Sequence, residues 1–212
     1  MKILIIGATG RLGRCLVHQA LAAGFVVTAL ARKPASLPLV HERLAVVQGD
    51  LLEVASFKNV LPGHDAVLVP VAPKAGQLRQ KSDLLSKGAL NLVSVLSTLM
   101  PTRLMWVTSA GVDPEYVKRK NFVYRGIIKP FFLANIYADF KLSEDILEES
   151  SLAWVVIRPS RLTNGPLTKT YRVQAIGIPE NADNISRADV AHFMLQETVD
   201  RRYDFKKPII AY

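Results

Sequence analysis

Residues 2–23 read KILIIGATGRLGRCLVHQALAA, and their order decides the fold: an apolar run, a turn punctuated by glycine, then a helical pattern. Ile3, Leu4, Ile5 and Ile6 show no polar alternation, which suits a parallel strand covered on both faces. Leu12, Leu16, Val17 and Ala20 then recur at helical spacing. Between them, Gly7 can take up an unusual dihedral, Gly10 can let backbone approach a ligand, and Gly13 can let the helix pack closely on the strand. A helix starting here aims its free N–H groups and the positive end of its dipole at the turn, which attracts pyrophosphate. The spacing is GxxGxxG rather than GxGxxG, so a purely structural tight turn is the alternative. A strand before and a helix after are the context that favours a phosphate site.

Working outward, Gly24 ends the first helix and FVVTALA (25–31) gives a second strand. An NAD-binding fold usually places an acid about 20 positions after the glycine motif to hold the ribose hydroxyls. Here the strand runs into Arg32 and Lys33 instead. Two cations could grip a 2′-phosphate, Arg32 in bidentate fashion or by stacking on adenine, which argues for NADP(H) over NAD(H). Two solvated charges before Pro34 are the plainer alternative. LAVVQGD (44–50) reads as a third strand, and Asp50 either meets the adenine amino group or caps the helix expected up to Val60. DAVLVPVAP (65–73) reads as a fourth strand, whose end could pass beneath a nicotinamide ribose. Residues 78–99 read as a long helix with Leu84, Leu85, Ala89, Leu92, Val93 and Leu96 on one side.

RLMWVTSAG (103–111) is expected as a fifth strand that delivers Thr108 and Ser109 to its carboxyl end, where ligands lie in open α/β sheets. A helix over 136–150 and a strand AWVVIRPS (153–160) follow. Near the end, SRADVAHFMLQETV (186–199) reads as a helix capped by Ser186, and KPIIAY (207–212) as a last strand. This alternation predicts an α/β, Rossmann-type, doubly wound and mostly parallel sheet with helices on both faces. No linker divides the chain, so residues 1–212 are expected to form one domain with a small substrate-side section at the carboxyl end.

Half of the 212 residues are apolar, enough for one sizeable core. No apolar stretch approaches the roughly 18 residues that span a bilayer, and no signal-peptide pattern opens the chain, so a cytoplasmic protein is expected. Cys15 stands alone and reads as a small helix residue. His18, His41, His64 and His192 are dispersed without ligand spacing, so no metal is expected. Lys and Arg number 27 against 18 Asp and Glu, a net charge of +9 that suits phosphates or anionic substrates. The cations are scattered and no nucleic-acid motif accompanies them, so nucleic acid is not expected. Residues 112–135, VDPEYVKRKNFVYRGIIKPFFLAN, mix cations with aromatics; they read as a substrate lid, a membrane-surface or partner face, or an extra packed helix.

GATGRLG, the GD after the third strand, TSAG after the fifth, YADFKLSEDILEESSLAWVVIRPS and ISRADVAHFML together resemble the atypical short-chain dehydrogenase/reductase group of small NAD(P)H-binding proteins, most closely its biliverdin-IXβ/flavin reductases. The resemblance implies pyrophosphate at Gly7, Thr9, Gly10, Leu12 and Gly13, a 2′-phosphate at Arg32 with Arg11 or Lys33, and adenine at Asp50 and Leu51. It places the nicotinamide side against Val71, Ala72, Pro73, Ser109 and Pro159. The wider superfamily works with a Ser, Tyr, Lys set, matched here by Ser109, Tyr137 and Lys141, the lysine also holding the ribose. Tyr137 and Lys141 are four apart and so share a helix face. A phenol of pKa about 10 needs such a cation near neutral pH. Tyr116 and Lys120 give a second match at the same spacing, inside the irregular insertion. The function implied is an NADPH-dependent oxidoreductase passing hydride to a small conjugated or carbonyl acceptor such as a flavin, tetrapyrrole, quinone or aldehyde. A non-catalytic NADP(H)-binding redox sensor or assembly factor is the alternative.

Overall fold

Successive side chains of a strand point to opposite faces, and this alternation sorts the core of the computed structural model, which describes residues 1–73, 76, 80–99 and 102–212. In β1 (Lys2–Ile6), Ile3 and Ile5 enter one apolar cluster, Leu4 and Ile6 the other. β4 (Ala66–Val69), β5 (Arg103–Val107) and β6 (Trp154–Pro159) repeat the division, for example Met105 on one side and Trp106 on the other. On the first face, Leu12 and Leu16 of α1 (Arg11–Ala22) and Val190 and Met194 of α6 (Arg187–Asp200) cover the sheet. On the second, Leu85 and Leu92 of α3 (Leu84–Leu96) and Phe140 and Leu147 of α5 (Ala134–Glu148) do so. Each fully buried side chain of this size contributes about 1.5–3 kcal/mol.

Among the described residues the main sheet has eight strands in the order β3-β2-β1-β4-β5-β6-β10-β8, with β2 at Val26–Ala31, β3 at Leu44–Gln48, β8 at Arg172–Gln174 and β10 at Ile209–Ala211. All neighbours are parallel except β8, which runs antiparallel to β10 with Ile209 opposite Gln174. Ile3 of β1 lies beside Val27 on one side and Ala66 on the other. The chain leaves β1 towards β2 and β3, then returns to its other side at β4. That reversal opens a crevice at the carboxyl ends of β1 and β4. A separate parallel pair, β7 (Arg161–Thr163) and β9 (Asn184–Ser186), lies outside the main sheet. The doubly wound architecture is therefore present as the sequence predicts.

Two expectations need correction. The helix expected over 78–99 begins at Leu84 and ends at Leu96; residues 78 and 79 lie outside the described residues. Its start is fixed from a distance: the buried carboxylate of Asp139 on α5 accepts from Leu85 N at 3.0 Å, Ser86 N at 2.9 Å and Ser86 Oγ at 2.6 Å. A neighbouring helix thus supplies the cap that satisfies these free donors. Asp50 does not cap the helix that follows it. Three residues intervene, Glu53 holds the N-cap of α2 (Val54–Phe57), and Asp50 Oδ1 closes a turn by accepting from Leu52 N at 3.0 Å. Ser186, in contrast, caps α6 as expected by accepting from Asp189 N at 3.0 Å.

His64 is buried before β4, with Nε2 2.8 Å from Thr28 Oγ1 and Nδ1 3.2 Å from Leu61 O. Burial, ahead of all other influences, holds its pKa below the usual value. Stability is then fully present above the ordinary histidine pKa of about 6.5 and falls as pH drops, because the unfolded chain takes up a proton that the folded one resists. His192, also lowered first by burial, acts in the same direction. Urea unfolding between about pH 5 and 7.5 should give midpoints that rise with pH, and His64→Gln should flatten the slope.

Candidate functional site

The turn after β1 shows why its glycines are needed. Gly7 has φ of +90°, a left-handed conformation that side chains disfavour. A Cβ on Gly13 would stand 2.2 Å from Gly7 O and 2.8 Å from Ala8 Cα, so only glycine lets α1 start this close to the turn. Gly10 occupies the N-cap, its N–H bonded to Gly7 O at 3.0 Å, and no acidic residue stands in the first turn of α1. The N–H groups of Arg11, Leu12 and Gly13 therefore have no acceptor within the helix. This end of the helix is built for an anion.

Beneath it lies a cleft of ≈ 290 Å³ at the crevice between β1 and β4. Eight of the expected cofactor residues line it: Gly7, Thr9 and Gly10 from the turn, Arg32 after β2, Asp50 and Leu51 after β3, and Val71 and Ala72 after β4. Ile6, Leu30, Ala31, Gly49, Pro70 and Leu84 complete the wall. Arg32, Gly49 and Asp50 also line an adjoining depression of ≈ 340 Å³, together with Gln48, Glu53 and Ser56. Arg32 thus stands where the two spaces meet.

The remaining expected cofactor residues lie around the rim or elsewhere. Leu12 and Gly13 are buried in α1 behind the turn. Arg11 is exposed at the start of that helix, near Arg187, whose pKa is lowered first by burial and then by Arg11. Lys33 is exposed at the cap of the short turn Pro34–Ser36. Pro73 is half-buried in the loop after β4, and Pro159 is buried at the end of β6.

The catalytic set divides. Ser109, at the end of β5, accepts from Gly111 N at 3.2 Å. Gly111 packs against Tyr137 so closely that a Cβ there would stand 2.3 Å from the tyrosine hydroxyl. The structure therefore brings Ser109 and Tyr137 to one turn. Lys141 is not brought to them: it lies on the outer side of α5, more than half exposed, with its ammonium paired to Asp145 one turn on. Such an exposed pair at helical spacing contributes a few tenths of a kcal/mol. The hydroxyl of Tyr137 instead lies 2.8 Å from that of Tyr124, and Lys129 Nζ sits 5.9 Å from the Tyr137 ring centre. Burial first, then the bond to Tyr137, pushes the Tyr124 phenol well above its usual pKa. Tyr124 consequently keeps its proton. The rival pair is structural: Tyr116 Oη donates to Ala182 O at 2.9 Å, and Lys120 Nζ donates to the same carbonyl at 3.0 Å and to Asp183 at 2.7 Å.

Several supporting residues escaped the reading of the sequence. Arg14 ties the glycine turn to the loop after β2, donating to Thr9 O at 3.1 Å and Ser36 O at 2.7 Å. Glu144 on α5 is fully buried; it accepts from Thr108 Oγ1 at 2.7 Å and from Arg158 Nε at 3.1 Å and Nη2. That carboxylate holds the carboxyl ends of β5 and β6 against the helix that carries Tyr137. Ser160 follows β6, and its buried hydroxyl has no partner among the described residues. A signal for Glu144 existed, since it interrupts the inward stripe of Phe140 and Leu147 and therefore requires a cation.

A sequence profile described as NAD(P)H-binding matches residues 7–200. The chain is 26% identical to Oxidoreductase GME11367 of Pestalotiopsis microspora over 95% of its own length and 82% of that protein's. It is 33% identical to the 2-alkyl-3-oxoalkanoate reductase of Shewanella oneidensis over 51% of this chain and 30% of that one. In structure it resembles a wide-type short-chain dehydrogenase/reductase from Veillonella parvula solved in complex with NADP, at a TM-score of 0.80 and 18% identity, covering 100% of this chain and 94% of that one. The oxidoreductase ylbE of Lactococcus lactis gives a TM-score of 0.78 at 21% identity, with coverage of 100% and 90%. With the match running from the first glycine of the turn to the end of α6, the chain belongs to the NAD(P)H-binding family and carries its Rossmann fold.

Proposed function

We propose that the protein is an NADPH-dependent oxidoreductase that reduces a small conjugated or carbonyl acceptor. The observation that carries this reading is the cleft at the strand reversal, walled by the glycine turn, Asp50 and Val71, with Arg32 where an NAD-binding fold would place an acid. The residues fit a dinucleotide: the start of α1 offers N–H groups to the pyrophosphate and Arg32 offers a fork of donors to a 2′-phosphate. The bound nicotinamide supplies hydride, and the protein supplies position and electrostatics. Val71 and Ala72, which line the cleft, would hold the nicotinamide side of the nucleotide. Ser109 holds the turn on which Tyr137 rests.

Tyr137 hands a proton to the acceptor. Tyr124, which keeps its own proton, donates a hydrogen bond to the phenolate that remains. Lys129 stands over the ring of Tyr137, whereas Lys141 pairs with Asp145. An absorbance screen of the NADPH complex against flavins, biliverdins, quinones and aldehydes tests the activity; an acceptor that oxidises NADPH identifies the substrate class. With that acceptor, Tyr137→Phe should lower kcat by about 10²–10⁴-fold. Lys129→Ala should lower it more than Lys141→Ala. Unchanged turnover in Tyr137→Phe would assign this tyrosine to packing.

A further inference from the structure

We propose that residues 122–131 form an interfacial anchor that docks on an anionic lipid surface. The proposal is independent of how the cleft is used. Residues Tyr124–Leu133 form a wide π-type helix that contains Pro130. In a ladder closing at i+5, residues four and five apart fall on one side. Tyr124, Lys129 and Leu133 follow that spacing on the inner side, all half-buried, and lead to Tyr137. Phe122, Val123, Ile127, Ile128 and Phe131 follow it on the outer side, and all five are exposed, Phe122 at 79% and Phe131 at 65%. The inner side is half-buried against the body of the protein, while the outer side is exposed among the described residues. A contiguous apolar face of this kind marks an interaction site.

Charge selects the occupant. Lys118, Arg119, Lys120, Arg125 and Lys129 fall between residues 118 and 133 with no Asp or Glu among them; Lys118 pairs with Glu115 and Lys120 with Asp183, while Arg125 stands exposed beside the apolar face in a chain of net charge +9. Two copies meeting through this face would oppose like charges. The outer face consists of phenyl and branched aliphatic groups, with Arg125 exposed beside them. Aromatic and aliphatic groups flanked by cations are the combination that partitions into the headgroup boundary of an anionic bilayer. No helix among the described residues is long and apolar enough to cross a membrane, so the contact would be peripheral.

Co-sedimentation of the full chain with vesicles of phosphatidylcholine, alone or mixed with phosphatidylglycerol, tests the proposal. The expected result is binding to the mixed vesicles, weak binding to the neutral ones, and release at high salt. Phe122→Glu with Phe131→Glu should weaken partition at least about tenfold while circular dichroism stays unchanged; Arg125→Glu should weaken it less. Absence of binding to mixed vesicles would overturn the proposal, as would equal binding to neutral and anionic vesicles. So would a concentration-dependent dimer in sedimentation velocity that the double variant abolishes, since that would make a second copy the occupant.

Discussion

Glu144→Ala is expected to lower the unfolding free energy by about 3–5 kcal/mol, measured by urea denaturation. The carboxylate is fully buried and bound through both oxygens to Arg158, with Thr108 donating to one of them. Its removal leaves a guanidinium inside the protein whose other carboxylate partner is Asp113 at 3.1 Å, itself partly exposed. An uncompensated buried charge costs far more than a surface pair contributes. Glu144→Gln keeps the shape and an acceptor but loses the charge, so its loss should be smaller. If Glu144→Ala cost less than about 1 kcal/mol, water would be reaching the pair and the ends of β5 and β6 would not depend on it.

Gly13→Ala is expected to damage both stability and nucleotide binding. A Cβ at 2.2 Å from a backbone carbonyl cannot be accommodated by rotating a side chain, so α1 or the turn must shift. Overpacking of this kind costs about 1–3 kcal/mol or more. The shift carries the N–H groups away from the pyrophosphate position, and NADPH affinity should fall at least about tenfold, equivalent to 1.4 kcal/mol. Gly10→Ala separates the two effects. Its Cβ meets only Gly7 O, at 3.3 Å, so the fold should survive while the cleft narrows. Unchanged NADPH affinity in Gly10→Ala would mean that the turn is a structural device and not a cradle.

The strand, turn and helix of residues 2–23 were legible because each rests on local chemistry: apolar continuity, glycine at points of close approach, and helical spacing. Ser186 was legible for the same reason, since a cap acts within one turn. What escaped the sequence depends on distant partners. The start of α3 is set by Asp139, more than fifty positions away. Asp50 closes a turn by accepting from Leu52 N instead of capping a helix, because the helix starts four residues further on. The family resemblance and the four-residue spacing aligned Tyr137 with Lys141, yet neither carries information on where a long side chain will find a carboxylate, and Lys141 pairs with Asp145. Tyr124 and Lys129 reach Tyr137 through a wide helix whose spacing the usual helical period does not anticipate.

The measurement that bears most directly on the nucleotide reading is calorimetric titration of the protein and of its Arg32→Ala, Lys33→Ala variant with NADPH and with NADH. Arg32 lines the cleft and Lys33 follows it, so the protein should prefer NADPH, and the double variant should lose affinity for NADPH by at least about tenfold more than for NADH. Equal losses for both nucleotides would remove the 2′-phosphate from Arg32, and failure of the unaltered protein to bind either nucleotide would contradict the reading of the turn from which the whole site was built.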